Sequence, residues 1–146
     1  MKSSRRRARE VALQALYAWQ LAGGASGEVL EHAKGLEGFE RSDRALAEAL
    51  VVGVLGRAAE LEAMIAPILV GRTFDELSPV ERAILYIGAF ELATHPETPF
   101  KVVLNEAIEL GKSFGGTEGH RFVNGVLEKL AACLRPAEVA RARKTA

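Results

Sequence analysis

The 146-residue chain has a single cysteine, Cys133, and so cannot close an internal disulfide. Its thiol content fits a reducing compartment, and a cytoplasmic location is expected. No apolar run comes close to the ~20 residues that a bilayer-spanning helix needs, so no membrane partner is expected either. The ingredients of common catalytic centres are also missing. The three histidines, His32, His95 and His120, stand far apart, without HExxH or paired Cys/His spacing, which speaks against a metal site. There is no Gly-x-Ser-x-Gly elbow. Gly111-Lys112-Ser113 has the look of the end of a phosphate-binding loop, but Glu106 stands where that loop needs its first glycine, inside a predicted helix. Cys133 falls on the apolar side of a predicted helix and reads as core rather than nucleophile. No catalytic residue and no cofactor can be assigned, and the chain is not expected to be an enzyme.

Aromatics are sparse, at 6%, while 49% of residues are apolar and Ala, Leu, Glu and Arg dominate. That is a helix-forming inventory, and the apolar positions repeat at helical spacing with no convincing alternation of the strand type. The expected fold class is all-α: about seven helices in two small bundles within one domain, residues 1–146. Helices are predicted near 4–22, 27–34, 42–56, 57–70, 79–94, 99–114 and 118–134, with a short basic helix or tail after Pro136. An N-terminal helical subdomain of about 1–77 precedes a C-terminal bundle of about 78–146. Ser78-Pro79-Val80-Glu81 combines a capping serine, proline at the first helical position and glutamate at the third. Thr98-Pro99 repeats the cap and proline, and Thr117-Glu118 offers a third cap with an acid in the first turn. The Gly-rich 23–38 region is the softest stretch.

The formal net charge of zero conceals a segregation. Residues 1–9 carry five basic groups and no acid, and residues 135–146 carry four basic groups against Glu138 alone. The remainder keeps 10 of the 19 basic and 18 of the 19 acidic residues. Basic ends on an acidic body point to a local polyanion site. At about 100° per residue, Ala8, Val11, Ala12, Ala15, Leu16 and Trp19 share a core-facing stripe of the first helix, from which Tyr17 and Leu21 project away. Glu91 lies in line with Val80, Ile84 and Ile87 on an apolar stripe. It reads as a carboxylate paired with an Arg or a helix N-terminus, because no second catalytic group can be placed beside it. Phe122 sits at the edge of the stripe of Val123, Val126, Leu127 and Leu130, where it could serve as core or as a base-stacking platform.

The run Arg5-Arg6-Arg7-Ala8-Arg9 is too interrupted downstream, by Glu10, Gln14 and Gln20, for a secretory signal. A mitochondrial presequence shares its Arg-rich amphipathic character, but Leu16 and Trp19 look large enough to belong to the core. A solubilising tail and a grip on nucleic-acid phosphates both remain open on charge alone.

Taken together, RRRAREVALQALYAWQ, FDELSPVERAILYIGAFEL and PFKVVLNEAIELGKSFGGTEGHRFVNGVLEKL resemble the NusB family of bacterial transcription antitermination factors. The resemblance runs from about Arg5 to Leu134 and is loosest between Gly23 and Val70. It implies a two-bundle helical fold and a non-enzymatic role. The protein would pair with NusE, a small-subunit ribosomal protein, and bind boxA RNA of ribosomal RNA leader transcripts. With other Nus factors it would help RNA polymerase read through terminators. Carried over by position, RNA binding falls to Arg5, Arg6, Arg7, Arg9 and Phe122, with Glu118 modulating, and the NusE-facing positions are Tyr17 and Glu81. An RNA-binding subunit or adaptor of an RNA-modification complex is the alternative, and a homodimer could equally mask Tyr17 and Leu21. The roles of the 23–38 region and of the basic C-terminal end stay open.

Overall fold

The computed structural model describes residues 2–115 and 119–145. The chain divides between Ala58 and Ala59 into two compact units. Seven α-helices account for the regular structure of the described residues: α1 (Ser4–Ala22), α2 (Ser26–Lys34), α3 (Arg44–Ile65), α4 (Pro79–Thr94), α5 (Phe100–Phe114), α6 (Gly119–Leu134) and α7 (Pro136–Thr145). The expected all-α class is what the structure shows. The break expected between the predicted helices 42–56 and 57–70 falls where α3 kinks, at Arg57, whose angles are non-helical (φ −126°, ψ 18°), and the second segment ends at Ile65, short of the predicted 70. It gives way to a 3-10 turn at Ala66–Ile68, where Pro67 supplies no backbone N–H to continue it.

In the first unit, α1 starts at Ser3, whose hydroxyl accepts the Arg6 N–H at 3.1 Å. The predicted stripe is buried, except that Trp19 is only partly covered, and the buried arc extends to Arg9 and Leu13. Those two positions follow Leu16 around the helix by about 20° and 60°, so the covered face is broader than the apolar pattern alone. Val29 and Ala33 of α2 and Phe39 beyond it are buried as well, so the Gly-rich region contributes side chains to the core. The Ser42 hydroxyl donates to the Phe39 carbonyl at 2.6 Å, and the Asp43 N–H donates to the Ser4 carbonyl at 2.9 Å, which ties the start of α1 to the start of α3.

The second unit is built around α4. Its residues Ala83 to Leu92 are all buried, as befits a helix that is apolar nearly all round. α5 and α6 pack on it and on each other. The Ser78/Glu81 capping box forms as expected: the Ser78 hydroxyl accepts the Glu81 N–H at 3.1 Å, and Glu81 Oε1 accepts the Ser78 N–H at 3.0 Å. The cap expected at Thr98 is a correction. Pro99 occupies the N-cap of α5 and has no side-chain acceptor. Glu138, from the first turn of α7, instead accepts the Phe100 N–H at 2.8 Å. Thr98 is buried, and its carbonyl accepts from Arg135 at 2.6 Å. The cap expected at Thr117 lies outside the described residues.

Cys133 is exposed, against the expectation that it belongs to the core. On the α6 wheel it lies about 20° outside Val126, the edge of the arc that Val126 and Ala131 bound.

Candidate nucleic-acid interface

The arginine-rich start of α1 stands on a fixed backbone in the first unit. Arg5 is exposed, with Nη1 3.9 Å from Asp43 Oδ2, and Arg6 and Arg7 are half-buried. Lys2 Nζ pairs with Glu10 Oε2 at 3.0 Å. Between this helix end and the segment that follows α2 lies an open cleft of about 380 Å³, bordered by Lys2, Arg7 and Arg41 and by Glu10 and Glu37. Three cations face two acids there, so the cleft itself is only mildly basic. Arg5, Arg6 and Arg7 place three cations in the first turn of α1, with no acid among them. That charge opposes the positive pole of the helix dipole, a cost of up to ~1 kcal/mol that a bound anion would relieve.

Arg9 departs from this patch: it is 3% exposed. Its guanidinium is packed in the interior, out of reach of a phosphate unless the helix lifts. On the far side of the same helix Tyr17 (40% exposed) and Leu21 (64%) face outward, as the wheel indicates. An exposed Tyr beside an exposed Leu suits a protein contact, with a rigid ring and a polar tip.

Phe122 and Glu81 come together in the second unit through a residue that no sequence signal singled out. Arg72 holds its guanidinium carbon 4.7 Å from the centre of the Phe122 ring, and its Nη2 lies 3.6 Å from Glu81 Oε1. Phe122 itself is half-buried, about 40° beyond Val126 on the α6 wheel, so one edge anchors in the core while a face remains for the cation. The loop that aims Arg72 is tightly specified. Gly71 before it adopts φ +71°, a conformation that glycine takes without steric cost. Thr73 after it opens a second capping box, in which Glu76 Oε1 accepts the Thr73 N–H at 2.9 Å. That backbone bond, with the Thr73 hydroxyl, holds the Glu76 carboxyl below its ordinary pKa. Beneath the loop Phe74 packs edge-on to Tyr86 at 5.2 Å, and the Tyr86 hydroxyl donates to Glu62 Oε2 at 2.7 Å. Burial, reinforced by that acid, raises the Tyr86 pKa.

The two contacts of Arg72 are each weak. A partly exposed cation over a ring contributes about 0.5–1 kcal/mol, and a surface ion pair at most about 1 kcal/mol. Arg5, Arg6, Arg7 and Tyr17 therefore belong to the first unit and Phe122 and Glu81 to the second, while Glu118 lies outside the described residues. Arg41 and Arg72 are additions. Arg72 is 50 residues from Phe122 in sequence, and only the fold relates them.

The NusB family model matches residues 6–132. The transcription antitermination protein NusB of Burkholderia cenocepacia (strain HI2424) is 52% identical over 137 residues, 94% of each chain. That of Paraburkholderia phytofirmans is 49% identical over 144 residues, 99% of each. Among solved structures, NusB of T. maritima superposes with a TM-score of 0.78 at 28% identity, covering 90% of this chain and 92% of that one. A complex of the antitermination factors NusB and NusE with double-stranded RNA contains a chain that superposes with a TM-score of 0.76 at 27% identity, covering 91% and 99%.

Proposed function

The chain belongs to the NusB family, and from that premise we propose that it is a transcription antitermination factor. With NusE, a small-subunit ribosomal protein, it binds boxA RNA of ribosomal RNA leader transcripts. Together with other Nus factors it keeps RNA polymerase elongating through terminators. The observation that carries this reading is similarity along nearly the whole chain to antitermination proteins, at 52% identity over 94% of its length. The site supports it. Arg5, Arg6 and Arg7 stand on a capped, anchored helix and present charge to phosphates, whose contacts supply affinity without reading sequence. Phe122 offers a ring for an unpaired base, a contact of about 1–3 kcal/mol by substitution. Tyr17 and Glu81 are the positions for NusE. The protein acts by binding rather than by chemistry, in the cytoplasm where transcripts are made. Among the described residues no helix is long and apolar enough to cross a membrane.

The test is a titration of boxA RNA and of a scrambled RNA of equal length, with and without NusE. Preference for boxA that grows when NusE is added is the expected result. Equal binding of both RNAs under both conditions refutes the reading.

A further inference from the structure

We propose that Arg72 couples the protein partner to the RNA: it is held between Glu81 and the Phe122 ring in the free protein and is handed to an RNA phosphate when a partner takes Glu81. The proposal rests on the reading of Glu81 as partner-facing and Phe122 as RNA-facing.

Three features of the geometry support it. First, Arg72 is in contact with both positions at once, 3.6 Å from Glu81 Oε1 and 4.7 Å from the centre of the Phe122 ring, so a change at either is felt at the other. Second, the two members of the ion pair differ in freedom. Glu81 is 15% exposed and its Oε1 also closes the capping box of α4, whereas the Arg72 side chain is 40% exposed and extends from a loop. A competing cation from a partner would leave Glu81 in place and displace Arg72. Third, an arginine stays charged at any accessible pH, so a displaced guanidinium becomes an exposed cation free to pair with another anion. RNA brings one. While Arg72 pairs with Glu81 its charge is locally cancelled and it covers a face of Phe122; once released, it uncovers that face for a base and adds a phosphate contact. Partner and RNA would then reinforce each other's binding through a single side chain.

The experiment measures binding of a fluorescein-labelled single-stranded boxA RNA to the full chain at several salt concentrations, with and without saturating NusE. It compares the wild type with R72A, E81Q, F122A and the E81Q/R72A pair. Glutamine can still close the capping box, so E81Q removes the ion pair and keeps the helix start. The wild type should gain affinity on adding NusE, by a factor of about 5–150 for sites coupled in the usual range. In R72A that gain should shrink severalfold, and the salt slope measured with NusE present should fall by about one phosphate contact. E81Q should bind RNA more tightly than the wild type without NusE, and the second substitution, R72A, should abolish that increase. A full NusE-dependent gain with an unchanged slope in R72A overturns the coupling while leaving the RNA and NusE sites intact. No NusE-dependent gain in the wild type, or no effect of F122A, overturns the underlying site and the coupling with it. Thermal melts of each variant separate loss of fold from loss of coupling.

Discussion

Arg135 makes five bonds with one guanidinium. Nε donates to the Leu92 carbonyl at 3.0 Å, and Nη2 donates to those of Glu91 at 3.0 Å and His95 at 2.8 Å. Nη1 donates to the Thr98 carbonyl at 2.6 Å and to Glu138 Oε1 at 3.1 Å. The carbonyls lie where α4 ends and the chain turns towards α5; those of Glu91 and His95 also accept the His95 and Thr98 N–H, and the planar fork gathers all four. Substitution to Ala removes all five bonds, three of them to buried carbonyls, so R135A should lose about 3–5 kcal/mol of stability in urea titration. R135K keeps the charge but cannot span all five acceptors, and should recover only a minor part. By charge count alone this residue is one more cation of a basic C-terminal end. Its four carbonyl acceptors lie 37 to 44 residues earlier in the chain, and the local pair with Glu138 does not disclose them.

Helix termini set much of the element-scale structure, and the sequence discloses those whose capping groups are local. Ser78-Pro79-Val80-Glu81 forms the expected box, and the predicted ranges of α1 and α4 coincide with the observed ones because serine, proline and glutamate act within one turn. The range of α5 is predicted to within one residue, but its capping group is not legible, since it arrives from α7. Burial raises the Glu138 pKa, but the Phe100 N–H and the Arg135 guanidinium outweigh it and hold the carboxyl below its ordinary value. Stability from this cap is therefore present above the ordinary value of 4.5 and is lost as pH falls through the lowered one. E138Q should melt below the wild type at neutral pH, and the gap should close as the pH is taken well below 4.5. Glycines matter at the helix crossings for a different reason. A Cβ on Gly111 of α5 would stand 2.7 Å from His120 Cβ and 3.1 Å from its Cα, close to backbone that cannot rotate away. A Cβ on Gly88 of α4 would meet only the tip of Leu127, at 2.7 Å from Cδ1. Although alanine favours a helix by about 1 kcal/mol over glycine, G111A should lower Tm clearly and more than G88A, as calorimetry of the two variants would show. The glycine that resembles part of a phosphate loop is thus a packing glycine.

At the scale of the molecule, charge segregation is the legible clue, and burial decides which charges count. The run Arg5-Arg6-Arg7-Ala8-Arg9 reads as one patch in sequence, yet the helix turns its members to different fates. Arg5 is exposed, Arg6 and Arg7 are half-buried, and Arg9 is in the interior. Wheel geometry turns Tyr17 and Leu21 outward because the apolar stripe is strong, but it cannot show that the covered arc widens to take in Arg9. The Arg72 contact with Phe122 is equally hidden, being a product of the loop between Gly71 and Thr73 rather than of any motif. The patch therefore divides into two experimental classes. Replacing Arg5, Arg6 and Arg7 by Ala should leave Tm nearly unchanged, weaken RNA binding at all sequences alike, and lower the slope of log affinity against log salt by roughly one for each phosphate no longer engaged. R9A should do the reverse. Removing a buried guanidinium leaves a void and exposes its partners, so Tm should fall. The RNA salt slope of the protein that remains folded should stay that of the wild type. Parallel melts and salt-dependent titrations of the triple and single variants would separate the two, and a normal Tm with a reduced slope for R9A would put that side chain on the RNA surface after all.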